Sequence, residues 1–232
     1  MIIGINGYIG SGKDTIGHII QDLTNTTWEI KKFAAKLKQI ASLLTGIPVE
    51  KFEDQEFKKS ILGAEWDRYG IIRDNGSKIV AIQPEPHAEN SIWFNGPEEC
   101  KQIHLQMTVR EMLQKLGTEA IRDGLHTNAW VNALFADYQV VEDLNGKGFQ
   151  IANWNDYPNW IITDCRFPNE AKAIKDRGGK VIRVNRGQID STHPSETSLD
   201  NWEFDYVIDN NEGIKELTEK VRVMLKIFNV IS

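Results

Sequence analysis

Cysteine is scarce in this 232-residue chain: there are two, Cys100 and Cys165. That excludes a disulfide scaffold and suits a reducing compartment or indifference to redox. Cys100 and His104 lack a second ligand pair, so zinc is not expected, and one such spacing supports no Cys–His nucleophile. Long apolar runs are also missing. None approaches the roughly 20 residues a membrane helix needs. The opening Met1-Ile2-Ile3-Gly4-Ile5-Asn6-Gly7 has no basic n-region, so neither a signal peptide nor a membrane partner is expected. Positive charge is in deficit, with 27 Lys and Arg against 33 Asp and Glu, a net −6. Holding a nucleic-acid polymer non-specifically takes many Lys and Arg contacts to phosphate, so no polymer is expected as a partner. A local cluster can still hold a small anion against the net charge. What is present is an ordinary globular make-up, 41% hydrophobic and 26% charged, long enough for a full core.

Strand and helix patterns alternate along the chain. Apolar, β-branched runs predict strands at Met1–Asn6, Trp28–Phe33, Trp160–Cys165, Lys180–Asn185 and Tyr206–Ile208. Helical spacing predicts helices at Asp14–Asn25, Ala34–Leu44, Val49–Leu62, Thr108–Arg122, Asn128–Tyr138, Asn169–Arg177 and Gly213–Phe228. Thr108 with Glu111 three residues later forms a capping-box signature. Ser77–Gln83 and Ile103–Met107 read as a small hairpin or inserted flap. Such alternation implies right-handed βαβ units and an α/β fold with a parallel sheet.

The most informative segment is Gly7-Tyr8-Ile9-Gly10-Ser11-Gly12-Lys13-Asp14-Thr15, a G-x-x-x-x-G-K run between the first predicted strand and helix. There, loop and helix N–H groups converge on phosphate oxygens, glycines let the backbone wrap closely, and Lys13 reaches the terminal phosphates. Gly10, Ser11, Gly12, Lys13, Asp14 and Thr15 are therefore the candidate nucleotide-binding residues. Asp14 stands where the usual pattern has a Ser or Thr for Mg²⁺; Thr15 can supply the hydroxyl instead, or the metal can be held mostly through water. A Rossmann loop fits worse, because Thr15 takes the place of its third glycine. Asp164 closes the Trp160–Asp164 run, at the strand end where parallel sheets bind ligands. It can organise Mg²⁺ directly or through water, or it can cap the helix that follows. Arg166 can neutralise charge on a transferring phosphoryl group, or it can form a surface salt bridge.

Four stretches together resemble the deoxynucleoside monophosphate kinases encoded by tailed phages. They are Gly7–Thr15, Val109–Glu119 with its Arg-x-x-x-Gln-x-x-Gly-Thr run, Asp164–Glu170 with its Asp-x-Arg-x-x-x-Glu run, and Thr192–Glu196 leading to Asp205–Asn210. The resemblance implies a three-layer P-loop kinase domain over 1–232. Its inserted, mainly helical acceptor-binding region would lie at about 49–148 and a candidate lid at 187–204. It also implies ATP as donor, Mg²⁺, and a deoxynucleoside 5′-monophosphate as acceptor, in the cytoplasm of a phage host. Lys36, Arg110, Gln114, Gly117, Thr118, Trp130 and Asp164 would then border the acceptor. Arg110 and Gln114, four apart, share one helical face. The plainer readings are solvated faces for Lys36, Lys38, Arg110, Gln114 and Arg122, and core packing for Trp130. Arg183 and Arg186 are candidate lid arginines or solvated charges, and Asp209-Asn210-Asn211 is placed by analogy beside the donor adenine. His193 matches the family without a chemical role. Seven tryptophans suit a core, a pocket or a homodimer interface alike. The alternatives are a dephospho-coenzyme A kinase-like enzyme, or a non-catalytic nucleotide-binding regulatory protein, which the Asp14 departure keeps open.

Overall fold

The computed structural model describes residues 1–25, 28–72, 78–81, 101–139, 157–187 and 197–232. Cys100, the sequence around His193 and half of the candidate lid lie outside these residues. The chain divides into two compact units, residues 1–36 with 126–232, and residues 37–125.

The first unit is built on five strands: β1 (Ile2–Gly7), β2 (Trp28–Lys31), β6 (Asn159–Ile162), β7 (Lys180–Asn185) and β8 (Tyr206–Asp209). Their order is β2-β6-β1-β7-β8 and every pairing is parallel. Successive side chains on a strand point to opposite faces, so neighbours in sequence join different cores. Ile2, Trp160, Ile162 and Val181 pack on one face with helices α4 (Ala129–Phe135) and α5 (Pro168–Lys175). Ile3, Ile5, Ile161 and Ile182 pack on the other, with α1 (Lys13–Leu23) and the closing helix α6 (Ile214–Ile227). Two covered faces explain why these strands are continuously apolar in sequence. Helix α2 (Ala34–Thr45) follows β2.

The second unit has a smaller core of Ala41, Phe52, Leu62, Met107, Val109 and Met112. Here the structure corrects three expectations. The helix predicted at Val49–Leu62 is a pair of 3₁₀ turns, Val49–Glu53 and Phe57–Lys59. Between them Asp54 Oδ1 accepts N–H bonds from Glu56 (2.8 Å) and Phe57 (3.3 Å), a local alternative to helical hydrogen bonding. The expected hairpin partners do not pair directly. Strand β3 (Arg68–Ile72) runs between β4 (Lys78–Ala81) and β5 (Lys101–Leu105), antiparallel to both. The predicted Thr108–Arg122 helix starts as α3 (Val109–Gln114), with Thr108 Oγ1 accepting from Glu111 N, and then widens into a π-helix over Lys115–Asp123. Two glycines weaken the ordinary α preference at that stretch, Gly117 within it and Gly124 at its end. Gly117 also sits tightly, since a Cβ there would lie 2.9 Å from Leu37 Cδ2.

Candidate active site

Strand β1 ends in the turn 8–12 and α1 begins at Lys13. Gly12 caps the helix with φ 99°, left-handed backbone that glycine tolerates, and a Cβ there would stand 2.5 Å from Asn210 Nδ2. The Asn210 amide, at the end of β8, donates to the Ser11 carbonyl at 2.8 Å. Turned towards Asn210, that carbonyl is held by a partner more than 190 residues along the chain. Lys13 Nζ folds back over its own loop, donating to the carbonyls of Gly7 (2.6 Å) and Tyr8 (2.7 Å). The Ser11 hydroxyl is buried with no hydrogen-bond partner among the described residues. An unpaired buried hydroxyl is costly and calls for a partner, and an anionic oxygen in the loop would provide one.

Asp14 projects from the first turn of α1. Its Oδ1 accepts from Thr163 Oγ1 at 2.7 Å and pairs with Lys32 Nζ at 3.1 Å, while Oδ2 has no protein partner among the described residues. Burial alone would raise this carboxyl. The Thr163 hydrogen bond and the Lys32 and Lys13 charges outweigh it, so Asp14 lies below the ordinary carboxylate value and is ionised. Thr15, beside it, is exposed. Both donors are hard oxygens of the kind Mg²⁺ takes, usually one or two carboxylates completed by substrate phosphates and water. Among the described residues no set of three His, Cys, Asp or Glu groups into a metal site.

Asp164 is engaged elsewhere. Its two oxygens accept the backbone N–H groups of Phe33 (2.8 Å) and Ala34 (3.0 Å), at the start of α2. Burial pushes its carboxyl up, and those two bonds with the Arg166 and Lys32 charges pull it only part of the way back. The plainer reading of Asp164 as a helix cap is thus what the structure shows, at α2 rather than at the helix that follows in sequence. Cys165 beside it is a buried thiol whose ionisation burial pushes well up, so it is inert. Glu170 carries the last residue of the Asp-x-Arg-x-x-x-Glu run. Its Oε2 accepts the N–H of Arg166 (2.7 Å) and Phe167 (3.1 Å), fixing the backbone that presents the Arg166 side chain.

The candidate lid arginines differ. Arg183 is buried, donates to Asn6 Oδ1, pairs with Asp200 at 2.8 Å and lies over the Tyr8 ring at 4.7 Å. Tyr8 in turn donates to Asp200 at 3.2 Å, and Asn6 Nδ2 to the Cys165 carbonyl at 2.8 Å. Arg183 is therefore a structural charge beneath the loop, neither a solvated one nor a lid clamp. Arg186 is exposed and reaches the Gly10 carbonyl at 3.4 Å.

Of the expected acceptor residues, Lys36 pairs with Asp137 at 2.8 Å and Trp130 is buried in α4. In the second unit Arg110, Gln114 and Thr118 are all exposed, at successive fourth positions, and Arg110 donates to Gln55 Oε1 at 3.2 Å. Gly117 is buried under Leu37, and Lys38 is buried against Glu53. The residues that sequence reasoning missed are Asn6, Lys32, Thr163 and Asp200. Each is a common polar residue without a motif of its own.

A family model described as deoxynucleotide monophosphate kinase matches residues 71–221. The chain belongs to the deoxynucleotide monophosphate kinase family. Across 251 aligned residues this kinase is 32% identical to the deoxynucleotide monophosphate kinase of Enterobacteria phage T4, covering 97% of this chain and 99% of the relative. It is 26% identical to the deoxynucleoside-5′-monophosphate kinase of Escherichia phage T5, over 86% of this chain and 85% of the relative. The kinase is thus a phosphotransferase of the phage type, and its parallel sheet with helices on both faces is the α/β arrangement expected for one.

Proposed function

We propose that this kinase transfers the γ-phosphoryl group of ATP to a deoxynucleoside 5′-monophosphate, giving the diphosphate and ADP. The observation that carries the reading is the loop at Gly7–Thr15, in which Lys13 and the unpartnered Ser11 hydroxyl face a curved backbone at a helix N-terminus. An acceptor phosphate oxygen is already anionic, so no general base is needed; positioning and charge neutralisation supply the rate. Lys13 leaves its own loop carbonyls for the donor phosphates, and Arg166, on a backbone fixed by Glu170, stabilises the transferring group. Mg²⁺, when bound, would neutralise charge on the donor phosphates. Asp14 and Thr15 would hold it, with Asp164 contributing through water.

The acceptor side is proposed for residues 49–148 with Lys36, Arg110, Gln114, Gly117, Thr118, Trp130 and Asp164. Arg110 offers a fork to phosphate and Gln114 an amide to a base edge. Their shared exposure on one helix supports this, while Gly117 acts through close packing. The compartment proposed is the cytoplasm of an infected host. Partners would be small nucleotides with no nucleic-acid polymer, and the chain would act as a monomer or homodimer. Among the described residues no helix is long and apolar enough to cross a membrane.

The test is ADP release from ATP and Mg²⁺ with each of the four deoxynucleoside monophosphates and with dephospho-coenzyme A. Turnover with at least one deoxynucleotide and none with dephospho-coenzyme A is expected. ATP binding without turnover on any acceptor would sink the reading.

A further inference from the structure

Lys32 is the cation nearest to Asp14, and nothing in the loop motif calls for it. It follows β2 and reaches Asp14 Oδ1 at 3.1 Å, on the oxygen that also accepts the Thr163 hydroxyl at 2.7 Å. The two partners converge on one oxygen, Oδ1. Thr163 is buried and its hydroxyl is anchored at the end of β6, so it fixes the rotamer of the carboxylate. Lys32 adds charge. With Lys32 in place, the carboxylate and its counter-ion present a nearly neutral pair to an approaching cation.

We propose that Lys32 is a positioning residue and resident counter-ion for Asp14, which keeps a divalent cation off the carboxylate until nucleotide phosphates come with it. A single carboxylate with most of its charge cancelled binds Mg²⁺ weakly, because Mg²⁺ gives up its water reluctantly and needs several anionic oxygens in return. Donor phosphates supply those oxygens. The Lys32 ammonium then shifts towards the newly arrived negative charge and Asp14 is released to the cation. Metal and nucleotide binding are coupled by this exchange, since each ligand improves the site for the other. The proposal rests on the nucleotide reading of the loop, and on Asp14 rather than Asp164 as the carboxylate closest to the metal.

The probe is Mn²⁺, followed by its paramagnetic resonance signal with and without a non-hydrolysable ATP analogue, in the full chain. Lys32→Met is expected to tighten nucleotide-free Mn²⁺ binding about fivefold, the size of a partly exposed ion pair, and to shrink the gain in Mn²⁺ affinity that nucleotide brings. Lys32→Arg, which keeps the charge, is expected to restore the wild-type coupling. Asp14→Asn should abolish the nucleotide-free signal in either background. Unchanged or weaker Mn²⁺ binding in Lys32→Met, with wild type binding the nucleotide–Mn²⁺ complex normally, overturns the counter-ion role and leaves the kinase reading intact. Failure of wild type to bind the nucleotide–Mn²⁺ complex at all would overturn the nucleotide reading instead. If Lys32→Met fails to fold, Lys32→Gln reports the same loss of charge.

Discussion

The two units hold their candidate site residues in opposite ways. At the P-loop end of the first unit the charged side chains of Lys13, Asp14 and Arg183 are each held by protein partners. Lys13 is tied to its own loop, Asp14 to Lys32 and Thr163, Arg183 to Asn6 and Asp200, and the Ser11 carbonyl to Asn210. In the second unit Arg110, Gln114 and Thr118 stand exposed on one helix, with Gln55 as a partner of Arg110. The difference fits the two tasks proposed above. Stabilising charge that develops during transfer requires groups fixed before the reaction, since reorganising them during it costs rate. Catching an acceptor requires an accessible surface, where exposed side chains carry little of the fold's stability. Breaking the buried ties of Arg183 should therefore cost stability, replacing Lys13 should cost chemistry, and substitutions on the exposed helix face should disturb binding alone.

The largest test of that division is Lys13→Ala. Its contacts are with carbonyls of its own loop, so the melting temperature should move by no more than about 3 °C, while phosphoryl transfer falls about a hundred- to a thousandfold. Near-normal ADP release in that variant would show that the loop is not where the donor is held. Next is Arg183→Met. It strands Asp200 and the Asn6 carbonyl oxygen, and a urea titration should show about 3 kcal/mol of lost stability. Arg186→Met, on the exposed neighbour, should stay within about 0.5 kcal/mol. Equal stabilities for the two would break the contrast between buried and exposed charges. Arg110→Ala should then raise the acceptor KM about tenfold, equivalent to about 1.4 kcal/mol, with the urea midpoint unchanged. A drop in kcat at constant KM would instead place Arg110 in the chemistry and blur the division.

The smallest effect is in pH dependence and sharpens the picture of the first unit. Burial would raise the Asp205 carboxyl, but hydrogen bonds from Lys175 and the Val181 N–H, with the charges of Lys175 and Lys180, hold it below the ordinary value. A depressed folded value means that stability is present above the usual carboxylate range and is lost as pH falls through the folded value. Asp205→Asn should flatten the acid limb of a stability–pH curve. An unchanged limb would show that the network contributes nothing to acid resistance.

Much of the donor end was legible because its signals are local. The glycine spacing, the Lys and the adjoining strand lie within 15 residues, and the apolar runs of β1, β6 and β7 are those of strands covered on both sides. Legibility failed where a residue's role depends on a distant partner. Arg183 read as a lid or surface charge, yet its partner Asn6 is 177 residues away. Nothing in the sequence shows that the Asn210 amide holds the Ser11 carbonyl, 199 residues away. Asp164 read as a metal organiser or as a cap on the helix that follows it, and its oxygens accept N–H groups at the start of α2, 130 and 131 residues away. In the second unit the 3₁₀ turns and the π-helix were missed because a small core and short local hydrogen bonds override weak helical periodicity there.

By itself the sequence determined the alternation of strand and helix, the glycine-rich loop between β1 and α1, and the family, because these depend on spacing within short segments and on residue type. The tertiary structure alone decided that Lys32 and Thr163 meet on one oxygen of Asp14, that Lys36 pairs with Asp137, and that Arg183 is a buried support. The physical reason is that charge acts through space. The value of an ionic side chain at a site depends on what lies within a few ångströms, and the chain brings those partners from well over a hundred residues away.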